Sequence, residues 1–268
     1  MENYINDIAK IEKIDRYNAI IRVLKENGIN YKIQNIPKVD TLGNIIVEFN
    51  SSKLKKIVVS AHYDNVFGTP GANDNATACS ILLNLILKNK DTNEHIEFVF
   101  FDLEERGFIG SEYYVKKNKN NIIYAINLDM CGLGNNIVYS LNKNNEDSLD
   151  KIAIKYNAFR VKSLPPGDAN SFISENIETF YIINSTTHDL KWFKDFANKR
   201  CSNITPDFLE TMHKPTDTID KINIEQVNKI YLFLNELLNK LIFELEMYNT
   251  IQSLVNKISF NTNKFYKE

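Results

Sequence analysis

Near the start of the chain, apolar residues recur at helical spacing. Ile5, Ile8, Ile11 and Ile14 are followed by Ile20, Ile21 and Leu24, and Gly28 stands where a helix would end. This pattern predicts a surface helix with one face turned to a core. Further on the apolar positions become nearly continuous over short runs: "NIIVEF" (44–49), "KIVVSAH" (56–62), "IEFVFFD" (96–102), "AINLDM" (125–130), "IVYSL" (137–141) and "FYIIN" (180–184). Runs rich in β-branched and aromatic residues, apolar at successive positions, suit strands buried on both faces. Helical stretches alternate with them at 77–88, 108–117, 146–157, 169–175 and from 224 to about 245. The alternation predicts an α/β fold, a three-layer sandwich whose mixed, largely parallel central sheet is covered by helices on both faces. With no internal repeat and no Pro- or Gly-rich linker, residues 1–268 are expected to form a single domain.

Composition narrows the partners. The chain has 268 residues, 43% apolar and 25% charged, a size at which one core is still possible. Its 32 basic and 34 acidic residues give a net charge of -2, without the basic footprint of a nucleic-acid binder. The charged opening "MENYINDIAKIEKIDRYNAI" holds no leader-like apolar run, and no later stretch is long enough to span a bilayer. A cytoplasmic protein without a membrane partner is therefore expected. Cys79, Cys131 and Cys201 are odd in number, far apart and without a Cys-x-x-Cys pair, which predicts reduced thiols rather than disulfides or a thiolate metal site.

The chemistry gathers where the predicted strands end, the edge at which open α/β sheets bind ligands. His62 and Asp64 close the 56–62 run, Glu104 and Glu105 come just after "IEFVFFD", and Asp129 closes "AINL". Asp74 lies in the turn "GANDNATA" ahead of a helix, and His213 in the loop "TMHKPTDTID". Two histidines with several carboxylates suit Zn²⁺, and also Mn²⁺ or Co²⁺. Five such ligands exceed what one tetrahedral ion needs. The surplus points to two ions sharing a bridging carboxylate, with a further carboxylate free to act as a base. Asp64, two residues beyond His62, is placed to orient the imidazole.

Five motifs in order, "AHYD", "GANDNATACSILL", "FVFFDLEERGFIGSEYYV", "INLDMCG" and "MHKPTDTID", resemble the co-catalytic dizinc aminopeptidase family, relatives of the glutaminyl cyclases and the transferrin receptor ectodomain. The resemblance runs from about Ile20 to Leu245 and implies a zinc-exopeptidase fold without an inserted lid or protease-associated domain. It implies that Asp74 bridges the ions, with His62 and Asp129 completing one site and Glu105 and His213 the other. Glu104 would be the general base acting on a metal-bound water, and Asp64 the carboxylate behind His62. A cis peptide at Asp74-Asn75 is also implied. One departure stands out: after "PPGD" the chain has Ala169 where the family often places His or Tyr, so an oxyanion donor from that position is missing. Met130 and His188 are the candidate substrate contacts, in a cleft expected to be shaped by the loops at 132–136, 163–170 and 186–211.

The implied activity is peptide-bond hydrolysis on a peptide or aminoacyl substrate, aminopeptidase first, with carboxypeptidase and amide hydrolase as variants. A single-zinc acyltransferase like the glutaminyl cyclases is the alternative. It needs only an Asp, a Glu and a His, which leaves His62 and Asp129 surplus. A non-catalytic binding module on the same fold would not need Glu104. Residues 246–268 form an extra amphipathic segment, with Ile251, Leu254, Val255 and Ile258 at i, i+3, i+4 and i+7. Such a stripe covers either its own core or a second copy in a homo-oligomer.

Overall fold

The computed structural model describes residues 1–49, 55–90, 95–142 and 147–265. In place of one N-terminal helix there are two, α1 (Glu2–Ile8) and α2 (Lys13–Glu26). Ala9 leaves helical geometry at ψ 78°, and the break turns Ile11 and Ile14 outward. Next along the chain are β1 (Lys32–Gln34), β2 (Asn44–Glu48), β3 (Lys56–His62), α3 (Thr77–Asn89), β4 (Ile96–Phe101), α4 (Ile109–Asn118) and β5 (Ile122–Leu128). The second half comprises β6 (Asn136–Leu141), α5 (Asp147–Lys155), β7 (Phe159–Val161), α6 (Ala169–Ile173), β8 (Glu178–Ser185), α7 (Thr187–Ala197) and α8 (Ile224–Phe265).

One eight-stranded sheet runs in the order β1-β2-β4-β3-β5-β8-β6-β7. β3 pairs in parallel with both β4 and β5, β5 with β8, and β6 with β7. The pairings β1-β2, β2-β4 and β6-β8 are antiparallel. The sheet is thus mixed and parallel at its centre, as the buried strand runs predict. Alternate residues pack to opposite faces. Ile57, Val59 and Ala61 of β3 meet residues of α1, α2, α3 and α8 in the larger core, while Val58 joins Val99, Tyr114 and Phe172 under α4 and α6. α7 packs Leu190 and Phe193 against Val138, Tyr181 and Ile183 on that second face. Helices therefore cover both sides.

The sequence pattern assigns no element to the short edge strands β1 and β7, and the helix α7 lies in the 186–211 stretch expected to be a loop. α8 continues well past residue 245. Val227, Ile230, Leu234, Leu237 and Leu241 bury its first half, whereas Met247 and Ile251 are about half exposed, at 50% and 53%. The side chains of Leu254, Val255 and Ile258 lie outside the described residues. Among the described residues no helix is long and apolar enough to cross a membrane.

Candidate metal centre and active site

Three parallel strands deliver the site. His62 ends β3 in register with Phe101 of β4, and Ser60 is in register with Asn127 of β5. The chain beyond β4 and β5 therefore brings Glu104, Glu105 and Asp129 to the same edge as His62. Asp74 comes from the irregular helical turn Ala72–Ala76, where the Asp74-Asn75 peptide is cis. His213 arrives from a distant loop, in left-handed backbone at φ 59°. Asp217 anchors that loop: its carboxylate accepts the Asn73 and Asp74 N–H groups at 2.8 and 3.0 Å.

Asp74 is the hinge of the arrangement. Its Oδ1 lies 3.2 Å from His62 Nε2, which is itself 3.5 Å from Asp129 Oδ1. Its Oδ2 lies 3.4 Å from His213 Nε2, which is 3.0 Å from Glu105 Oε2. Tetrahedral zinc with bonds of about 2.0–2.1 Å sets its ligand atoms roughly 3.3 Å apart, so both triads have the spacing of a cation's ligands. Within each triad, His62-Asp74-Asp129 and Asp74-Glu105-His213, the ligand atoms lie within 4.8 Å of one another. Glu105 Oε1 and Asp129 Oδ1 are buried without a hydrogen-bond donor, a cost of about 1–3 kcal/mol each that a cation would remove.

The electrostatics agree. Burial pulls the His62 imidazole down, yet Glu104, Asp129, Asp64 and Asp74 together leave it well above its ordinary value. Burial pushes Glu104 up to about 10, with Asp168, Asp129 and Glu105 adding to the rise against the opposing pull of His62. A cluster of carboxylates and imidazoles that gathers this much negative charge is short of positive charge, and its oxygen and nitrogen donors suit a divalent cation such as zinc.

Asp64 does more than stand behind His62. His62 Nδ1 is 3.1 Å from the Asp64 backbone carbonyl and 3.5 Å from its carboxylate. That carboxylate accepts the N–H groups of Glu104 and Glu105 at 3.1 and 3.2 Å, tying the glutamate turn to β3. Arg16 of α2, fully buried, clasps the other side. Its Nε donates to the Tyr63 carbonyl at 2.6 Å, and its Nη1 to those of Pro70 and Gly71 at 2.7 and 3.2 Å. A Cβ at Gly71 would stand 2.8 Å from Nη1, and φ there is +60°, so this position needs glycine.

A cavity of about 420 Å³ opens on Asp74, Glu104, Glu105, Asp129 and His213. Its other wall is apolar, including Met130, Ile183, Trp192, Phe208 and Met212, with Pro165, Pro166 and Tyr181 beside them. Met130 thus lines the cavity as expected, from a left-handed backbone at φ 44°. His188 does not line it. Thr186 caps α7 by accepting the Asp189 N–H at 3.1 Å and donates to Asp207 at 2.7 Å, and the other Asp207 oxygen takes His188 Nδ1 at 2.9 Å. This capping network holds the imidazole half exposed, while Trp192 from the same helix reaches the cavity instead. The 132–136 loop does not line the cavity either; of the three expected loops, 163–170 and 186–211 contribute to it. Ala169 is fully buried and offers no donor.

Sheet and ligand edge together define the zinc-exopeptidase fold. The chain belongs to peptidase family M28, whose sequence model matches residues 44–237. Aminopeptidase YwaD of Bacillus subtilis is 39% identical over 82 residues, 28% of this chain and 18% of that protein. The solved structure of a zinc aminopeptidase from Bacillus subtilis superposes with a TM-score of 0.58 at 23% identity, over 71% of this chain and 48% of that one. Glutaminyl cyclase of Porphyromonas gingivalis gives a TM-score of 0.69 at 16% identity, over 89% of this chain and 96% of that one. At such identities the superpositions speak for the fold. The chain spans about a fifth of the length of the curated aminopeptidases it matches.

Proposed function

We propose that the protein is a metal-dependent aminopeptidase that holds two divalent ions, zinc in the first instance, between Asp74 and its two histidine–carboxylate pairs. The observation that carries this reading is the division of Asp74: each oxygen faces a different histidine–carboxylate pair, while Glu104, whose ligand atoms lie within 4.8 Å of those of His62 and Glu105, opens on the same cavity. His62, Asp74 and Asp129 would hold one ion and Asp74, Glu105 and His213 the other. When bound, such ions acidify water and polarise the carbonyl under attack. Glu104, fixed through its N–H on Asp64, takes the proton from the attacking water and returns it to the leaving amine. The carboxylates receive the substrate's α-ammonium, and the apolar wall receives its first side chain.

Zinc-loaded protein assayed against aminoacyl amides, free and N-acetylated, tests the reading. Cleavage confined to the free amines, fastest for bulky apolar residues, is the expected result. Folded, metal-replete protein that cleaves none of them would sink it. Cyclisation of N-terminal glutamine with a single zinc equivalent would favour the acyltransferase instead. A cytoplasmic location belongs to the same proposal, consistent with three free thiols, and cell fractionation checks it. So does contact of the exposed Phe243, Met247 and Ile251 side of α8 with a second copy. Cutting the chain after Glu246 should then lower its mass in solution, and an unchanged mass would remove that contact.

A further inference from the structure

Asp129 treats its two oxygens differently. Oδ1 is buried without a hydrogen-bond donor, facing His62 Nε2 at 3.5 Å. Oδ2 accepts the Tyr181 hydroxyl at 3.1 Å. The tyrosine comes from β8, the parallel neighbour of β5, and Asp129 N–H is in turn bonded to the carbonyl of Ile182 at 3.1 Å. Backbone and side chain of Asp129 are thus both tied to the same short piece of β8.

Space for that hydroxyl is made by Gly167. A Cβ at Gly167 would lie 2.6 Å from the Tyr181 hydroxyl oxygen, 3.2 Å from its Cζ and 3.6 Å from Asp129 Oδ2. The backbone of Gly167 is not left-handed, so its conformation does not ask for glycine. The crowding of tyrosine and aspartate does.

Resting on the metallopeptidase reading above, we propose that Tyr181 is a positioning residue for the metal centre: its hydroxyl occupies Oδ2 of Asp129 and so reserves Oδ1 for the ion shared with His62 and Asp74. A phenol suits this task because it donates one hydrogen bond and brings no charge. Partners of this kind fix the orientation of metal-ligating groups, and their loss typically weakens metal binding about 10–100-fold.

Competition for zinc against a chelator of known affinity, on wild type, Tyr181→Phe and Gly167→Ala, decides the matter, with the melting temperature of each metal-free protein alongside. Tyr181→Phe should bind one zinc equivalent about 10–100-fold more weakly, keep the other unchanged, and melt like metal-free wild type. Gly167→Ala, which retains the tyrosine but pushes its hydroxyl aside, should show the same one-site loss. Wild-type affinity for both equivalents in the variants, or equal weakening of both, would overturn the role of Tyr181. A merely structural tyrosine would lower the melting temperature without singling out one site. Wild type that takes up no zinc would instead remove the metallopeptidase reading on which the proposal rests.

Discussion

The two halves of the site are built unlike each other. The His62–Asp129 half rests on the ends of β3 and β5, with the imidazole only 2% exposed and Asp129 held from β8. The Glu105–His213 half depends on a turn and a distant loop, and the His213 side chain is 45% exposed. What joins them is Asp74 and, behind it, Asp217. Parallel strands in the middle of a sheet fix the residues at their ends, whereas a loop fixes its ligand only as well as its own anchors allow. The contrast teaches that two ligand pairs at nearly matching distances can rest on supports of different kinds, buried strand ends on one side and an anchored, half-exposed loop on the other.

The largest effect should come from the residue that belongs to neither half. Glu104→Gln is nearly isosteric and cannot accept a proton, so kcat should fall about 10²–10⁴-fold with the zinc content of both halves intact. Near-normal kcat in a metal-replete variant would take Glu104 out of the reaction. His62→Ala and His213→Ala test the asymmetry directly. Each should cost more in zinc affinity than the roughly 10–100-fold of a lost supporting contact. His62→Ala should remove the tighter equivalent and His213→Ala the weaker one, as read by zinc titration. The reverse order would show that burial does not set the ranking. Asp217→Ala removes the acceptor for two buried N–H groups and should lower stability by about 1–3 kcal/mol, measured by denaturant unfolding. It should weaken zinc binding chiefly at the His213 half. The mildest perturbation is pH, read over a single unit. With the metal-free His62 and Glu104 both raised, cations displace protons on binding, so zinc affinity should fall as pH falls, by about tenfold per pH unit for each proton released. Affinity independent of pH on both sides of neutrality would contradict this.

The strand-borne half is the legible one in the sequence. His62 and Asp129 end apolar runs, and a polar side chain at the edge of such a run stands out. Glu105 is marked by the apolar run ahead of it, whereas Asp74 and His213, in a turn and a loop, follow no such run, and their assignment to particular ions comes through the family's motifs. Other residues leave no local trace. Tyr181 sits inside "FYIIN", where a tyrosine is ordinary strand material, and its hydrogen bond to Asp129 arises from pairing between β8 and β5. Asp64 can be placed behind His62, but its hold on the glutamate turn needs the β3-β4 register. α7 does carry a helical stripe, Leu190, Phe193 and Ala197 at i, i+3 and i+7 with Thr186 as its cap, but the polar run from Asn184 to Asp189 at its start has the composition of a loop. β1 and β7, three residues each, are too short to show a period.

Arg16 bears on how such a chain can be divided and recombined. The segment shared with the family begins at residue 44, yet the cation that ties down the Tyr63, Pro70 and Gly71 carbonyls comes from α2, outside it. A chimera joined at the family boundary would inherit every candidate ligand and lose this clasp, leaving the Tyr63 and Pro70 carbonyls without their guanidinium partner. Lysine could not stand in, since one ammonium lacks the planar fork that reaches several acceptors at once. The stretch that supports the site is therefore longer than the stretch that matches the family, and a transplant of the site has to carry α2 with it.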